Sequence, residues 1–241
     1  MQIDEFLELV KKRRSIRRFK PDPIPDEYVE KILEAGRWAM SGANGQPWEF
    51  IVVKSRETRE KMARTLKESS DERDAVEMTR VEAVRHPVVL TETSDKAPPF
   101  LEAPLIIVVC GDRRTFQATV LATHFLGGEG GHQACYYKNM ANATQNMHLA
   151  AAALGLGSQW HSVGRLQEHV LKDVLGVPPV LEIHSLVVVG FPAQLPGPSY
   201  RRELKEIVHY EKYDKSRYRT GKDIYNWLVA LRQRPRAGKP H

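Results

Sequence analysis

Two stretches of this chain, residues 105–110 and 186–189, are apolar at every position. Runs of that length suit strands buried on both faces, and a sheet built from them must be covered by other elements. They fall far short of the ~18 consecutive apolar residues a membrane span needs, so no membrane partner is expected. With 41% hydrophobic and 27% charged residues in 241, the chain has material for one compact domain, since single domains extend to roughly 250 residues.

The flanking patterns supply the cover. Ile3, Leu7 and Val10 recur at helical spacing, which predicts an amphipathic helix ending near Arg13. Pro21, Pro23 and Pro25 force an extended connection, after which Asp26 is a good N-cap for a second helix with Val29, Ile32, Leu33 and Gly36 on one face. Residues 41–45 are turn-rich, and residues 48–53 read as a strand too apolar for an exposed edge. Ser55 is placed to cap a third helix with Met62 and Leu66 inward. Residues 67–99 are polar, charged and weakly periodic, the character of a lid or substrate-binding insertion.

Beyond the 105–110 strand, glycine-rich residues 123–132 are expected to form a loop. The strongest helix covers about residues 134–154, with Ala143, Met147, Ala151 and Leu154 as its apolar stripe and Gly155 and Gly157 where a C-cap belongs. Its alanines suggest close neighbours on every side. A short strand over 158–163, a helix marked by Val170, Leu171, Val174 and Leu175, and a last core strand over 183–189 follow. Past Phe191 the chain turns polar except for Ile224, Trp227, Leu228 and Leu231 at helical spacing. This order predicts an α+β fold, a mixed central sheet covered by helices with an extended C-terminal tail, in a single domain over residues 1–241. No strand is followed by G-x-G-x-x-G, so a Rossmann fold is not expected.

The formal net charge is +6, concentrated in residues 11–18 and from Arg201 onward. Neither block carries a helix-turn-helix, zinc-finger or RNA-binding signature, so nucleic acid is not the expected partner. Cys110 and Cys135 are too few for a disulfide framework, and the first ten residues lack the apolar core of a signal peptide. Both observations predict a cytoplasmic protein. No metal-ligand spacing, nucleophile elbow or phosphate-binding loop is present. Chemistry supplied by a bound cofactor is then the natural expectation, with no catalytic side chain required.

Two motifs could hold such a group. In Arg13-Arg14-Ser15-Ile16-Arg17 three guanidinium groups and a hydroxyl lie within five residues, suited to one phosphate because arginine's planar fork matches phosphate oxygens in pairs. A solvated basic helix end would carry the same residues. In Ser41-Gly42-Ala43-Asn44-Gly45-Gln46-Pro47-Trp48 two glycines would let backbone approach a flat ligand, and the amides of Asn44 and Gln46 suit heterocycle edges. An ordinary loop before a core tryptophan is the alternative.

Taken in order, the two motifs resemble those of the nitroreductase family of FMN enzymes. Residues 142–157, with their closing Leu-Gly-Leu-Gly, resemble its long central helix, and residues 186–192 its last core strand. The resemblance covers most of residues 1–210, and residues 67–99 match no family pattern. Met40 stands where many members carry proline. The resemblance implies a nitroreductase-like fold and a homodimer with FMN at the interface, its tail over residues 205–241 wrapping the partner. It implies that Arg13, Arg14 and Arg17, with Ser15, hold the phosphate and ribityl chain. Ser41, Gly42 and Asn44 would line the flavin, Asn44 from either subunit. Trp160, His161 and Ser162 would lie against the ring, though a core tryptophan with polar neighbours is the alternative. Arg201 or Arg202 would supply a further phosphate contact. NADH or NADPH would be the reductant and a small molecule, such as a nitroaromatic, quinone, enone or halogenated aromatic, the substrate. Oxygen-dependent breakdown of the flavin on the same scaffold, and a non-enzymatic basic protein binding nucleic acid or acidic partners, are the rivals.

Overall fold

The computed structural model describes residues 2–81, 99–120, 129–197 and 199–233. These fall into two compact units, residues 1–194 and 195–241, taken in turn.

The first unit is built on a four-stranded sheet of β1 (Trp48–Val53), β2 (Leu105–Asp112), β3 (Gly157–Ser162) and β4 (Leu181–Gly190), in the order β1-β2-β4-β3. All three ladders are antiparallel, and a parallel bridge from Ser15 to Ser158 adds the mixed element at the β3 edge. The continuous apolar runs occupy the two central strands. Ile106, Val108, Cys110, Leu186 and Val188 face one side, packed with Met62, Leu66 and Leu171. Leu105, Ile107, Val109, Val187 and Val189 face the other, packed with Ile32, Ala143, Met147 and Ala151. Each fully buried side chain of this size contributes roughly 1.5–3 kcal/mol, so the runs hold three layers together.

Helices α1 (Ile3–Lys12), α2 (Asp26–Arg37), α3 (Arg56–Met78), α4 (Arg113–Val120), α5 (Glu129–Ala153) and α6 (Arg165–Leu175) supply the cover. Ser55 caps α3 by accepting from the Thr58 amide. Gly155 and Gly176, at φ 74° and 66°, end α5 and α6 in the left-handed region that glycine tolerates.

Several expectations are corrected. Pro25, not Asp26, occupies the α2 cap, and Asp26 opens the helix and pairs with Lys54 instead. Strand β1 is an edge strand among the described residues, its apolar content covered by helices rather than by a second neighbour. Phe50 and Ile51 are half-buried and Val52 is exposed. Residues 67–78 continue α3, while 82–98 of the expected lid lie outside the described residues. Of the expected loop 123–132, residues 129–132 already belong to α5 and the remainder lies outside the described residues. Helix α4 has no counterpart in the sequence reading. The alanines of α5 are not enclosed on every side, since Ala153 is exposed.

The second unit contains α7 (Leu204–Ile207) and α8 (Gly221–Gln233). Arg217 organises the polar connection between them, donating to the carbonyls of Lys205 and Val208 and pairing with Asp214. Thr220 and Asp223 cap α8 reciprocally. Ile224 and Leu228 on α8 are exposed, while Trp227 is covered by the Arg219 guanidinium 5.0 Å from its ring. No described helix is long and apolar enough to cross a membrane.

Candidate functional site: a basic strip on the sheet edge and a strained loop on the central helix

The arginine motif is laid across the β3 edge. Helix α1 ends at Arg13, and the chain runs on extended until Ser15 pairs with Ser158 and the Ile16 amide donates to the Ser158 carbonyl at 2.9 Å. Lys20 then donates to the Phe191 carbonyl, and Ala193 donates back to that of Arg18, so the strip is pinned at both ends. Extended backbone alternates its side chains. Ile16 is buried, whereas Ser15 and Arg17 point outward together. Neither Arg13 nor Arg17 has a carboxylate partner among the described residues.

Beneath the strip lies His148 of α5. Its Nδ1 is 2.7 Å from Ser158 Oγ, its ring stacks on Trp160, and its buried Nε2 has no partner. Burial, with the Arg13 charge second, pushes its pKa down to about 4, so the imidazole is neutral at pH 7. The sequence reading missed His148, because a lone histidine on the stripe of a helix reads as core.

The second motif is held against another flank of α5. Asn139, Asn142 and Asn146 recur at i, i+3 and i+7, on one face of the helix. Asn146 and Asn142 donate to the carbonyls of Ala35 and Met40 at the end of α2, and Asn139 Oδ1 accepts the Gly42 amide at 3.2 Å. That spacing is a signal from which the asparagine ladder could have been found. Ser41 is used within the loop: its Oγ accepts the Gln46 amide at 3.0 Å and its carbonyl that of Asn44. The glycines are not the strained positions. Ala43, Asn44 and Gln46 take φ of 51°, 53° and 43°, a region that costs a non-glycine residue roughly 1–2 kcal/mol. Strain persists where surrounding bonds over-determine it, and it clusters at binding sites. Asn139 Nδ2 remains buried without a partner beside the loop.

Arg13, Ser15 and Trp160 are thus brought together around His148. Trp160 and Ser162 share a face of β3 with Ser158, and strand alternation turns His161 to the opposite face; burial lowers its pKa. Arg14 is half-buried. The strained loop is not part of this cluster: Asn139 and His148 are nine residues apart, half a turn out of phase and roughly 13 Å apart along α5. Arg201 belongs to the second unit, where it donates to Ser199 Oγ and the Tyr200 carbonyl, and Arg202 pairs with Glu206.

Elsewhere, burial pushes the Cys110 thiol up to about 12, so it acts as a small core hydrophobe rather than a nucleophile. Among the described residues no three His, Cys, Asp or Glu side chains are grouped to hold a metal ion.

Residues 10–191 match the family model described as the nitroreductase family. The NADH dehydrogenase of Thermus thermophilus is 32% identical over 198 residues, which cover 82% of this chain and 91% of that protein. Among solved structures, an FMN-dependent nitroreductase from Clostridium difficile R20291 has a TM-score of 0.62 at 22% identity, covering 86% of this chain and 99% of that one. An oxidised iodotyrosine deiodinase bound to FMN and 3-iodo-L-tyrosine has a TM-score of 0.64 at 23% identity, covering 86% and 100%. At these identities the two structures establish a shared fold.

Proposed function

The chain belongs to the nitroreductase family, and on that footing we propose that it is an FMN-dependent oxidoreductase, working as a homodimer, that uses NADH or NADPH to reduce a small organic acceptor. One observation carries the reading: Arg13 and Arg17, which have no carboxylate partner among the described residues, belong to the strip seated on Ser158, whose hydroxyl holds the buried His148 with its Nε2 unpartnered. Unpaired cations and an orphaned polar atom at one place fit an anionic, hydrogen-bonding ligand.

In this reading Arg13 and Arg17 take the FMN phosphate in their forks, Ser15 adds a neutral donor, and Arg14 supports them. Trp160, 40% exposed on the same face, offers a flat apolar wall. Ser41 keeps the strained loop in shape, and the loop presents the Gly42 backbone and the Asn44 amide to the flavin edge, with Asn139 Nδ2 behind. When bound, FMN would supply the redox chemistry, taking electrons from NADH or NADPH and passing them to a nitroaromatic, quinone, enone or halogenated aromatic in a second half-reaction. The protein's part is to stack each partner in turn, exclude water and offer donors where charge develops.

The two motifs flank α5 on different sides, so a second copy bringing its own Asn44 loop to the Arg13 flank would complete the site. Exposed apolar side chains that a second copy would cover are Ile3 and Leu7 on α1 and Trp38 and Met40 after α2 in the first unit and, taken by itself, the second unit's Ile224 and Leu228 on α8. Residues 67–99, charged where they continue α3, are assigned to acceptor choice.

The test is anaerobic. Purified protein should be yellow, bleach with NADH or NADPH under argon, and recover its colour on addition of a nitroaromatic or quinone. A colourless protein that shifts DNA at low salt would sink the reading.

A further inference from the structure

His148 is 3% exposed, and its ring is stacked on Trp160 with centroids 5.8 Å apart and planes 22° apart. A neutral imidazole carries one N–H and one bare lone pair. Ser158 Oγ, 2.7 Å from Nδ1, engages one of them, and the buried Nε2 engages nothing. Ser158 is also the residue on which the basic strip is seated, since its carbonyl accepts the Ile16 amide and its backbone pairs with Ser15. Arg13 lies two residues before Ser15, whose backbone bridges to the same Ser158 that His148 holds, and its charge opposes protonation of the ring.

Resting on the cofactor reading above, we propose that His148 is a positioning residue of the phosphate site: it fixes Ser158, and with it the strip, and offers Nε2 as a neutral acceptor that orients the Arg13 guanidinium. Arginine has five N–H donors, and a bidentate grip on phosphate uses two. A third directed at Nε2 locks the plane of the fork without supplying a competing charge. A carboxylate at position 148 would instead pair with Arg13 and compete with the ligand, and a cation would repel Arg13.

The test compares FMN with riboflavin, which lacks the phosphate, in fluorescence titrations of the full-length chain. His148→Leu should weaken FMN about tenfold, as loss of a charge-assisted hydrogen bond would, and leave riboflavin unchanged. His148→Gln, which keeps a neutral donor and acceptor, should restore most of the FMN affinity. Ser158→Ala is a smaller change that decides the matter if His148→Leu does not fold: an FMN-selective loss of about threefold or more supports the proposal. Unchanged FMN affinity in His148→Leu or Ser158→Ala, or an equal loss for both flavins, overturns it by assigning the pair to general packing. A wild-type chain that binds neither flavin overturns the cofactor reading as well, whereas wild-type binding with no selective loss overturns this inference alone.

Discussion

Gly157 meets Ile16 so closely that a Cβ on Gly157 would stand 2.7 Å from Ile16 Cγ1. The contact lies one residue before the Ser158 carbonyl that accepts the Ile16 amide. The absence of a side chain at the start of β3 therefore sets how near the arginine strip can approach the sheet.

Gly157→Ala should push Ile16 outward. Overpacking of this kind costs typically 1–3 kcal/mol, and the displacement would lift Arg13 and Arg17 with the strip. Urea unfolding should show the destabilisation and an FMN titration a weaker affinity. Pairing it with Ile16→Ala, which removes Cγ1 and Cγ2 and leaves only the Ile16 Cβ contact at 2.9 Å, should restore part of the affinity; a double variant no better than Gly157→Ala would show that the contact does not seat the strip.

Arg17 points outward beside Ser15 and has no carboxylate partner to lose among the described residues. Charge-assisted pairs to phosphate are worth roughly 1.5–3 kcal/mol, so Arg17→Ala should weaken FMN by about tenfold or more with little change in stability. An unchanged titration removes Arg17 from the site.

The His148 pKa, held down to about 4, lies below the ~6.5 expected of the unfolded chain. Between those values the unfolded state binds more protons, so the stability from neutral His148 is fully present above about pH 6.5 and lost as pH falls towards 4. The full span corresponds to about 3 kcal/mol. Burial lowers the pKa of His161 and His184 in the same direction. Urea midpoints at pH 7 and pH 5 should therefore diverge more for the wild type than for His148→Gln; parallel shifts would contradict the assignment.

If the Asn44 loop serves the partner's arginine strip, two defects in different motifs should complement. Mixed dimers of Arg17→Ala and Asn44→Ala chains would carry one intact site in two. Equimolar co-refolded material, half of it mixed dimer at random pairing, should regain about a quarter of the wild-type flavin content, and isolated mixed dimers about half, whereas no recovery beyond the separate variants would place both motifs in one chain's site.

The sheet was legible because residues 105–110 and 186–189 report two-sided burial whatever covers them. The position of β1 was not, since apolar content records that a strand is covered and not whether a helix or a strand covers it. Around the loop, Gly42 and Gly45 suggested backbone freedom, yet the left-handed residues are Ala43, Asn44 and Gln46. Their conformation is held by Ser41 and by Asn139, almost a hundred residues on; the spacing of Asn139, Asn142 and Asn146 marks a polar face of α5, but nothing near Gly42 names that face as its partner. The clustering of Arg13, Arg14 and Arg17 was readable from the sequence, whereas their seating along β3 through Ser158 was not. His148 was not, because its meaning depends on Ser158 and Arg13 arriving beside it.

The central claim is that the strip and the loop hold FMN. The most direct measurement is the flavin released on denaturation of purified full-length protein reconstituted with FMN and freed of excess. The account predicts about one FMN per subunit, non-covalently held, falling sharply in Arg17→Ala. A wild-type chain that releases no flavin after reconstitution would contradict it.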